Sequence, residues 1–81
     1  MNPPNQITVA VVEDDARIRR VLDEVFASAR DFLCVGAFPN GSTALAELPA
    51  LKPEVIVMDI NLPDLSGVEC VAQLAPQLPG T

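Results

Sequence analysis

Val55-Ile56-Val57-Met58-Asp59, running on as Ile60-Asn61-Leu62-Pro63-Asp64-Leu65-Ser66-Gly67, is the stretch on which the fold turns. Four consecutive apolar residues, three of them β-branched, fit a strand buried on both faces, as strands of a parallel sheet are. The run stops on a carboxylate, and Pro63, Asp64, Ser66 and Gly67 then mark a turn-rich loop. In open α/β sheets, ligand chemistry lies just beyond the carboxyl ends of the strands. Asp59 therefore stands where such a fold places a reactive carboxylate, although an acid at a strand end also serves simply to start a turn.

Upstream, Ile7-Thr8-Val9-Ala10-Val11-Val12 reads as a first strand, apolar nearly throughout and so central in the sheet. It ends on Glu13-Asp14-Asp15. Ile18, Val21, Leu22, Val25, Phe26 and Ala29 then recur at intervals of three and four, opposite Arg17, Arg19, Arg20, Asp23 and Glu24. That spacing predicts an amphipathic helix with Asp14 or Asp15 as its cap. Phe32 to Phe38 reads as a second strand. Pro39-Asn40-Gly41-Ser42 turns the chain, and Ser42 is placed to cap a short helix carrying Leu45 and Leu48, which Pro49 closes early or tightens. Val55–Met58 is the third strand. Val68, Val71, Ala72 and Ala75 mark a third helix, ended by Pro76, Pro79 and Gly80. Residues 1–6 form a polar, proline-containing lead expected to be mobile. The alternation of three strands with three helices, without an internal repeat, predicts an α/β fold: a parallel sheet with helices on both faces and right-handed crossovers.

Composition narrows the function. The 81 residues suffice for one small domain, and a 49% apolar, 20% charged chain suits buried strands rather than a disordered tail. Eleven acids against five bases give a net charge of −6, so no electrostatic footprint for nucleic acid or an anionic membrane is present. No apolar run approaches a membrane span, and no basic, hydrophobic signal segment opens the chain. Cys34 and Cys70, with no histidine anywhere, argue against zinc and fit two small buried thiols in a reducing, cytoplasmic setting.

Parallel strands present their carboxyl ends on one edge, which brings Glu13-Asp14 and Asp59 together across 45 residues of sequence. Carboxylates that close resist ionising together unless a cation is present. Mg²⁺ suits the place: it prefers oxygen ligands and is bound through one or two carboxylates, waters and phosphate oxygens. A carboxylate beside Mg²⁺ is also a known phosphoryl acceptor, forming an aspartyl-phosphate.

Val11-Val12-Glu13-Asp14-Asp15, a helix with Arg19-Arg20, and Met58-Asp59-Ile60-Asn61-Leu62-Pro63-Asp64-Leu65-Ser66-Gly67 together resemble the receiver domain of bacterial two-component response regulators. The resemblance covers about Ile7 to Leu74. It implies a CheY-like, flavodoxin-like three-layer fold with strand order 2-1-3. It implies that Asp59 is the phosphoacceptor and that Asp14 binds Mg²⁺ directly. Glu13, in the first position of the acidic pair, reaches the ion through water, and Asn61 supplies a backbone carbonyl. Pro63 and Gly67 shape the loop. Asp15 matches no required position and reads as a helix cap or a solvated charge. A sensor histidine kinase is the implied partner, with DNA reached only through a separate output domain and transcription as the expected output.

The match is also partial. Receivers of this kind have five strands and five helices, so residues 7–81 are expected to be a truncated receiver, β1-α1-β2-α2-β3-α3 without β4-α4-β5-α5. The switch hydroxyl and the conserved lysine of the missing half are absent. Lys52 lies at the wrong end of the third strand to replace that lysine, and Thr81 lacks the strand that should precede the hydroxyl. An exposed third strand with unpaired backbone groups invites pairing, so a homodimer or domain-swapped assembly through Val55–Met58 is expected. Two other readings stay open: a receiver-like interaction module that takes no phosphate, and a phosphatase fragment of the haloacid-dehalogenase kind. The latter wants an acid two residues after the nucleophile, where this chain has Asn61. In none of them is the chain a turnover enzyme.

Overall fold

The computed structural model describes residues 5–81. Its elements are β1 (Ile7–Val12), α1 (Ala16–Ser28), β2 (Phe32–Phe38), α2 (Gly41–Leu51), β3 (Val55–Met58) and α3 (Gly67–Leu74), followed by a 3₁₀ turn at Ala75–Gln77. The strands are parallel in the order β2-β1-β3, so β1 is central as its apolar sequence predicts. Residues 1–4 of the expected lead lie outside the described residues. Gln6, at its end, is anchored: its Nε2 donates to the carbonyls of Arg30 and Phe32, both at 3.2 Å.

Alternation along β1 builds three layers. Ala10 and Val12 enter a core with Phe38, Ala44, Leu48, Cys70, Leu74 and Leu78, which places α2 and α3 together on one face. Val9 and Val11 are buried on the opposite face, where α1 packs on β1 and β2. Phe26 of α1 meets Phe32 of β2 with ring centroids 5.6 Å apart. The β1–β2 register slips between Val9 and Ala10, leaving Val35 as an extra residue in β2.

Several expectations are corrected. β3 is not buried on both faces: Ile56 and Met58 pack on the core, but Val55 is 43% and Val57 36% exposed. The cause is the position of α1 over β1 and β2, which leaves that side of β3 uncovered among the described residues. The apolar stripe of α1 is only partly used. Leu22 and Phe26 are half-buried, whereas Ile18, Val21 and Val25 face outward. In α3 the buried line is Gly67, Cys70 and Leu74, continued by Leu78, while Val68, Val71, Ala72 and Ala75 are exposed. The close seating of Gly67 on the preceding loop sets the helix rotation, and the stripe follows at intervals of three and four. Cys70 is buried as expected, but Cys34 is only half-buried.

The start of α2 is capped by Asn40, whose Oδ1 accepts from the Thr43 amide at 2.8 Å, rather than by Ser42. Pro49 does not close the helix early. It forgoes one amide donor, yet the ladder resumes as the Lys52 amide donates to the Leu48 carbonyl at 3.0 Å. The helix ends with Lys52 in the left-handed region at φ 47°.

Candidate functional site

β1 and β3 pair with Val12 opposite Met58, so the next residues, Glu13 and Asp59, leave the sheet side by side at its carboxyl edge. The Asp59 amide donates to the Val12 carbonyl at 2.9 Å, and the Glu13 amide to the Phe38 carbonyl at 3.0 Å. Both backbones are thus held by the sheet up to the acidic residue itself. Glu13, Asp14 and Asp59 each bring a carboxylate oxygen within 4.8 Å of the others. Glu13 and Asp59 are half-buried and Asp14 is exposed. The structure brings together the three acids that the sequence places at one edge.

Their crowding shows in their protonation. Burial pushes the Glu13 carboxyl above its ordinary value, and hydrogen bonding and charge from Asp59, with Asp14 and Asp15 behind, push it further. Asp59 moves the other way. The Asn61 backbone N–H, 3.1 Å from its Oδ1, holds it ionised, and the Glu13 carboxyl contributes next. The two carboxyls are thus pushed in opposite directions, Glu13 upward and Asp59 downward. Three carboxylate oxygens this close are an all-oxygen donor set that a hard divalent ion relieves, so the site fits Mg²⁺.

The loop from Asp59 to Gly67 is closed at its base by the Gly67 amide donating to the Ile60 carbonyl at 2.8 Å and by an antiparallel bridge between Asn61 and Ser66. The Ser66 Oγ accepts from the Glu69 amide at 3.1 Å and so caps α3. Gly67 has an ordinary negative φ; it is needed for space, because a Cβ there would lie 2.2 Å from the Asp59 carbonyl oxygen. At the loop's tip Asp64 Oδ1 accepts from the Gly41 amide at 2.9 Å, and its Oδ2 from the Ser42 amide at 2.7 Å and the Ser42 hydroxyl at 2.5 Å. The Ser42 hydroxyl and the Gly41 amide foremost hold the Asp64 carboxyl down to about 2.

Other expectations are resolved by position. Asp15 caps α1, accepting from the amides of Arg17 at 2.9 Å and Ile18 at 3.3 Å. Lys52 precedes β3, at the end of the sheet opposite the acids. The Thr81 hydroxyl donates to the Pro53 carbonyl at 2.6 Å, at that same far end. Two residues of the site's surround were not assigned from sequence. Arg19 Nη1 donates to the Glu13 carbonyl at 2.8 Å and lies 3.4 Å from that of Asp14, clamping the turn after β1 from α1. The other is Asp64, which besides the adjacent Leu65 amide has partners 22 and 23 residues away, beyond the reach of any local pattern.

The parallel sheet between helical layers, with three carboxylates at its carboxyl edge, defines an α/β domain of the doubly wound class with an acidic site. Residues 9–81 match the response regulator receiver domain, and the chain belongs to that family. A protein-glutamate methylesterase/protein-glutamine glutaminase of Methanococcoides burtonii is 38% identical over 73 residues, covering 90% of this chain and 21% of that protein. The chain thus spans about a fifth of the length of such curated relatives. The crystal structure of the response regulator domain of Thermotoga maritima CheB superposes with a TM-score of 0.86 at 38% identity, covering 91% of this chain and 55% of that one. The beryllofluoride-activated NtrC receiver domain matches with a TM-score of 0.72 at 35% identity, over 89% of this chain and 56% of that one. Among the described residues, no helix is long and apolar enough to cross a membrane.

Proposed function

We propose that the chain is the phosphoacceptor part of a response regulator and that Asp59 takes a phosphoryl group from a sensor histidine kinase. The observation that supports this best is the convergence of Glu13, Asp14 and Asp59 within 4.8 Å at the sheet's carboxyl edge. In the transfer an Asp59 carboxylate oxygen attacks phosphorus; the new O–P bond forms as the N–P bond of the phosphohistidine breaks, and its electron pair returns to the imidazole nitrogen. The Asn61 amide keeps Asp59 ionised and orients one of its oxygens, leaving the other to attack. Asp14, Asp59 and Glu13, with the Asn61 backbone carbonyl, are the groups that would hold Mg²⁺. The ion, when bound, offsets charge on the phosphoryl oxygens.

For the output, transcription was the sequence-based expectation. The Methanococcoides burtonii relative carries a methylesterase/glutaminase name instead, and this favours control of such an activity in the whole protein. The free edge of β3, which pairs with β1 on one side only, suits pairing with a second copy, and the cleft along it is lined by Val55, Ile56, Val71, Leu74 and Leu78.

The test is intact mass after incubation with Mg²⁺ and acetyl phosphate. One phosphoryl adduct that requires Mg²⁺ and is lost in Asp59→Asn supports the reading. An adduct retained in Asp59→Asn overturns the assignment of the acceptor, and a wild-type chain that takes none overturns the phosphoacceptor reading in favour of an interaction module.

A further inference from the structure

The loop that carries Asp59 and Asn61 is held in two places, and only one of them is local. Its base is closed by its own backbone, through Gly67 to Ile60 and the Asn61–Ser66 bridge. Its tip projects toward α2. Among the described residues, the hydrogen bonds that tie this tip to another element all end on the Asp64 carboxylate.

The receiving end is built for that carboxylate. A helix leaves its first amides without intrahelical acceptors. In α2 the Thr43 amide is satisfied by the Asn40 side chain at 2.8 Å, whereas those of Gly41 and Ser42 are satisfied by Asp64. The cap of α2 is thus shared between a neighbour in sequence and a residue more than twenty positions away. A negative charge is also favoured there by the helix dipole. Packing repeats the contact independently: Leu65 lies so close over Gly41 that a Cβ at position 41 would fall 2.5 Å from Leu65 Cδ2 and 3.3 Å from Asp64 Oδ1. Gly41 is buried beneath this tip.

We propose that Asp64 is a positioning residue of the acidic site, latching the tip of the β3–α3 loop onto the first turn of α2 and thereby fixing Asn61 against Asp59. The chain of contacts is short. Asp64 fixes the tip, the tip and the closed base fix the segment between them, and the Asn61 amide in that segment donates to Asp59 Oδ1. The latch also occupies a fourth carboxylate that shares a surface cleft with Asp14, so its oxygens serve α2 instead of adding to the crowding of the other three. The consequence for phosphoryl transfer rests on the phosphoacceptor reading; the consequence for loop order does not.

The test compares Asp64→Ala, Asp64→Asn and Ser42→Ala with Asn40→Ala, which removes the other half of the same cap and leaves the latch in place. Amide exchange at Asn61 and Gly67 is read by NMR, and the adduct rate with acetyl phosphate is read at saturating Mg²⁺. In Asp64→Ala both amides exchange about tenfold faster or more, and the adduct rate falls by about tenfold, as expected for a slightly misplaced acceptor. Asp64→Asn, which keeps one acceptor oxygen, falls between wild type and Asp64→Ala, and Ser42→Ala shows a smaller shift in the same direction. Asn40→Ala lowers the Tm but leaves the exchange at Asn61 and the adduct rate within about twofold of wild type. Equal effects of Asn40→Ala and Asp64→Ala on the Asn61 amide would reduce Asp64 to an ordinary cap and overturn the proposal. If Asp64→Ala does not fold, Asp64→Asn and Ser42→Ala carry the comparison. A wild-type chain without adduct overturns the phosphoacceptor reading, while the exchange contrast still decides the role of Asp64.

Discussion

Gly67→Ala isolates the closest packing in the site. Gly67 opens α3 with an ordinary negative φ, so alanine meets no conformational penalty there. On helix propensity alone the substitution would gain up to about 1 kcal/mol. Space opposes it. The added methyl would lie 2.2 Å from the Asp59 carbonyl oxygen, 2.9 Å from its carbon and 3.0 Å from Ile60 Cα. Ordinary contact begins near 3.4 Å, so the nearest atoms must part by roughly 1.2 Å. All three are backbone atoms, and the Asp59 amide is itself held by Val12 at 2.9 Å. No side chain can rotate away to relieve the clash. Overpacking of this kind costs about 1–3 kcal/mol, which outweighs the propensity gain. Taking the middle of that range, about 2 kcal/mol, a net loss of about 1 kcal/mol remains after the propensity gain, and for a domain of this size a fall in Tm of about 4–8 °C is expected by calorimetry. The larger effect is on chemistry. A displacement of about 1 Å at a reacting group costs on the order of a hundredfold in rate, so adduct formation from acetyl phosphate should fall by about that factor even at temperatures where the variant remains folded. A Gly67→Ala chain with wild-type or higher Tm and an unchanged adduct rate would refute the argument, by showing that α3 can slide off the Asp59 backbone at no cost.

Three further outcomes follow from the site. Mg²⁺ at ten times its dissociation constant should stabilise the fold by about 1.4 kcal/mol, raising the Tm by about 6–11 °C; an equal rise with NaCl at matched ionic strength would show mere screening. Asp64 has a folded pKa of about 2 against an ordinary 3.8, so its contribution is complete above the ordinary value and is lost as the pH falls toward 2. The Tm gap between wild type and Asp64→Asn should therefore be constant near neutrality and close between about pH 4 and pH 2; a gap that persists at pH 2 would contradict the ionised latch. If copies pair through β3, Val57→Lys, which places a charge on its exposed side, should lower the mass measured by light scattering toward that of one chain; a wild type that is already monomeric at high concentration would dispose of the pairing.

The sequence disclosed the topology because each strand is a dense apolar run ending at a turn signal, and a parallel sheet leaves few ways to arrange three such βα units. The acidic site was legible for the same reason: β1 and β3 end on Glu13-Asp14 and Asp59, and adjacency in the sheet does the rest. What failed was the reading of faces. Val68 and Val71 are more hydrophobic in appearance than Cys70, yet Cys70 is buried and both valines are exposed. Residue type cannot decide this, because the rotation of α3 is imposed by Gly67 against Asp59, a contact between backbones. Val55 and Val57 misled in the same way: a strand's composition records what a face can bury, and α1 covers only part of that face.

The residues missed at the site make the same distinction sharper. In sequence Arg19 belongs to a charged helix face with Asp23 and Glu24, yet its guanidinium serves two backbone carbonyls, those of Glu13 and Asp14. In sequence Asp64 is a turn former, yet its carboxylate serves an amide pair at the start of α2. Both are charged residues paired with the backbone, and backbone groups carry no sequence signal. The three acids that define the chemistry are therefore readable from the chain, while the residues that hold their main chains in place become visible only in three dimensions. The exchange contrast between Asp64→Ala and Asn40→Ala bears on this directly, since the two variants remove neighbouring caps of one helix and only one of them reaches the acceptor loop.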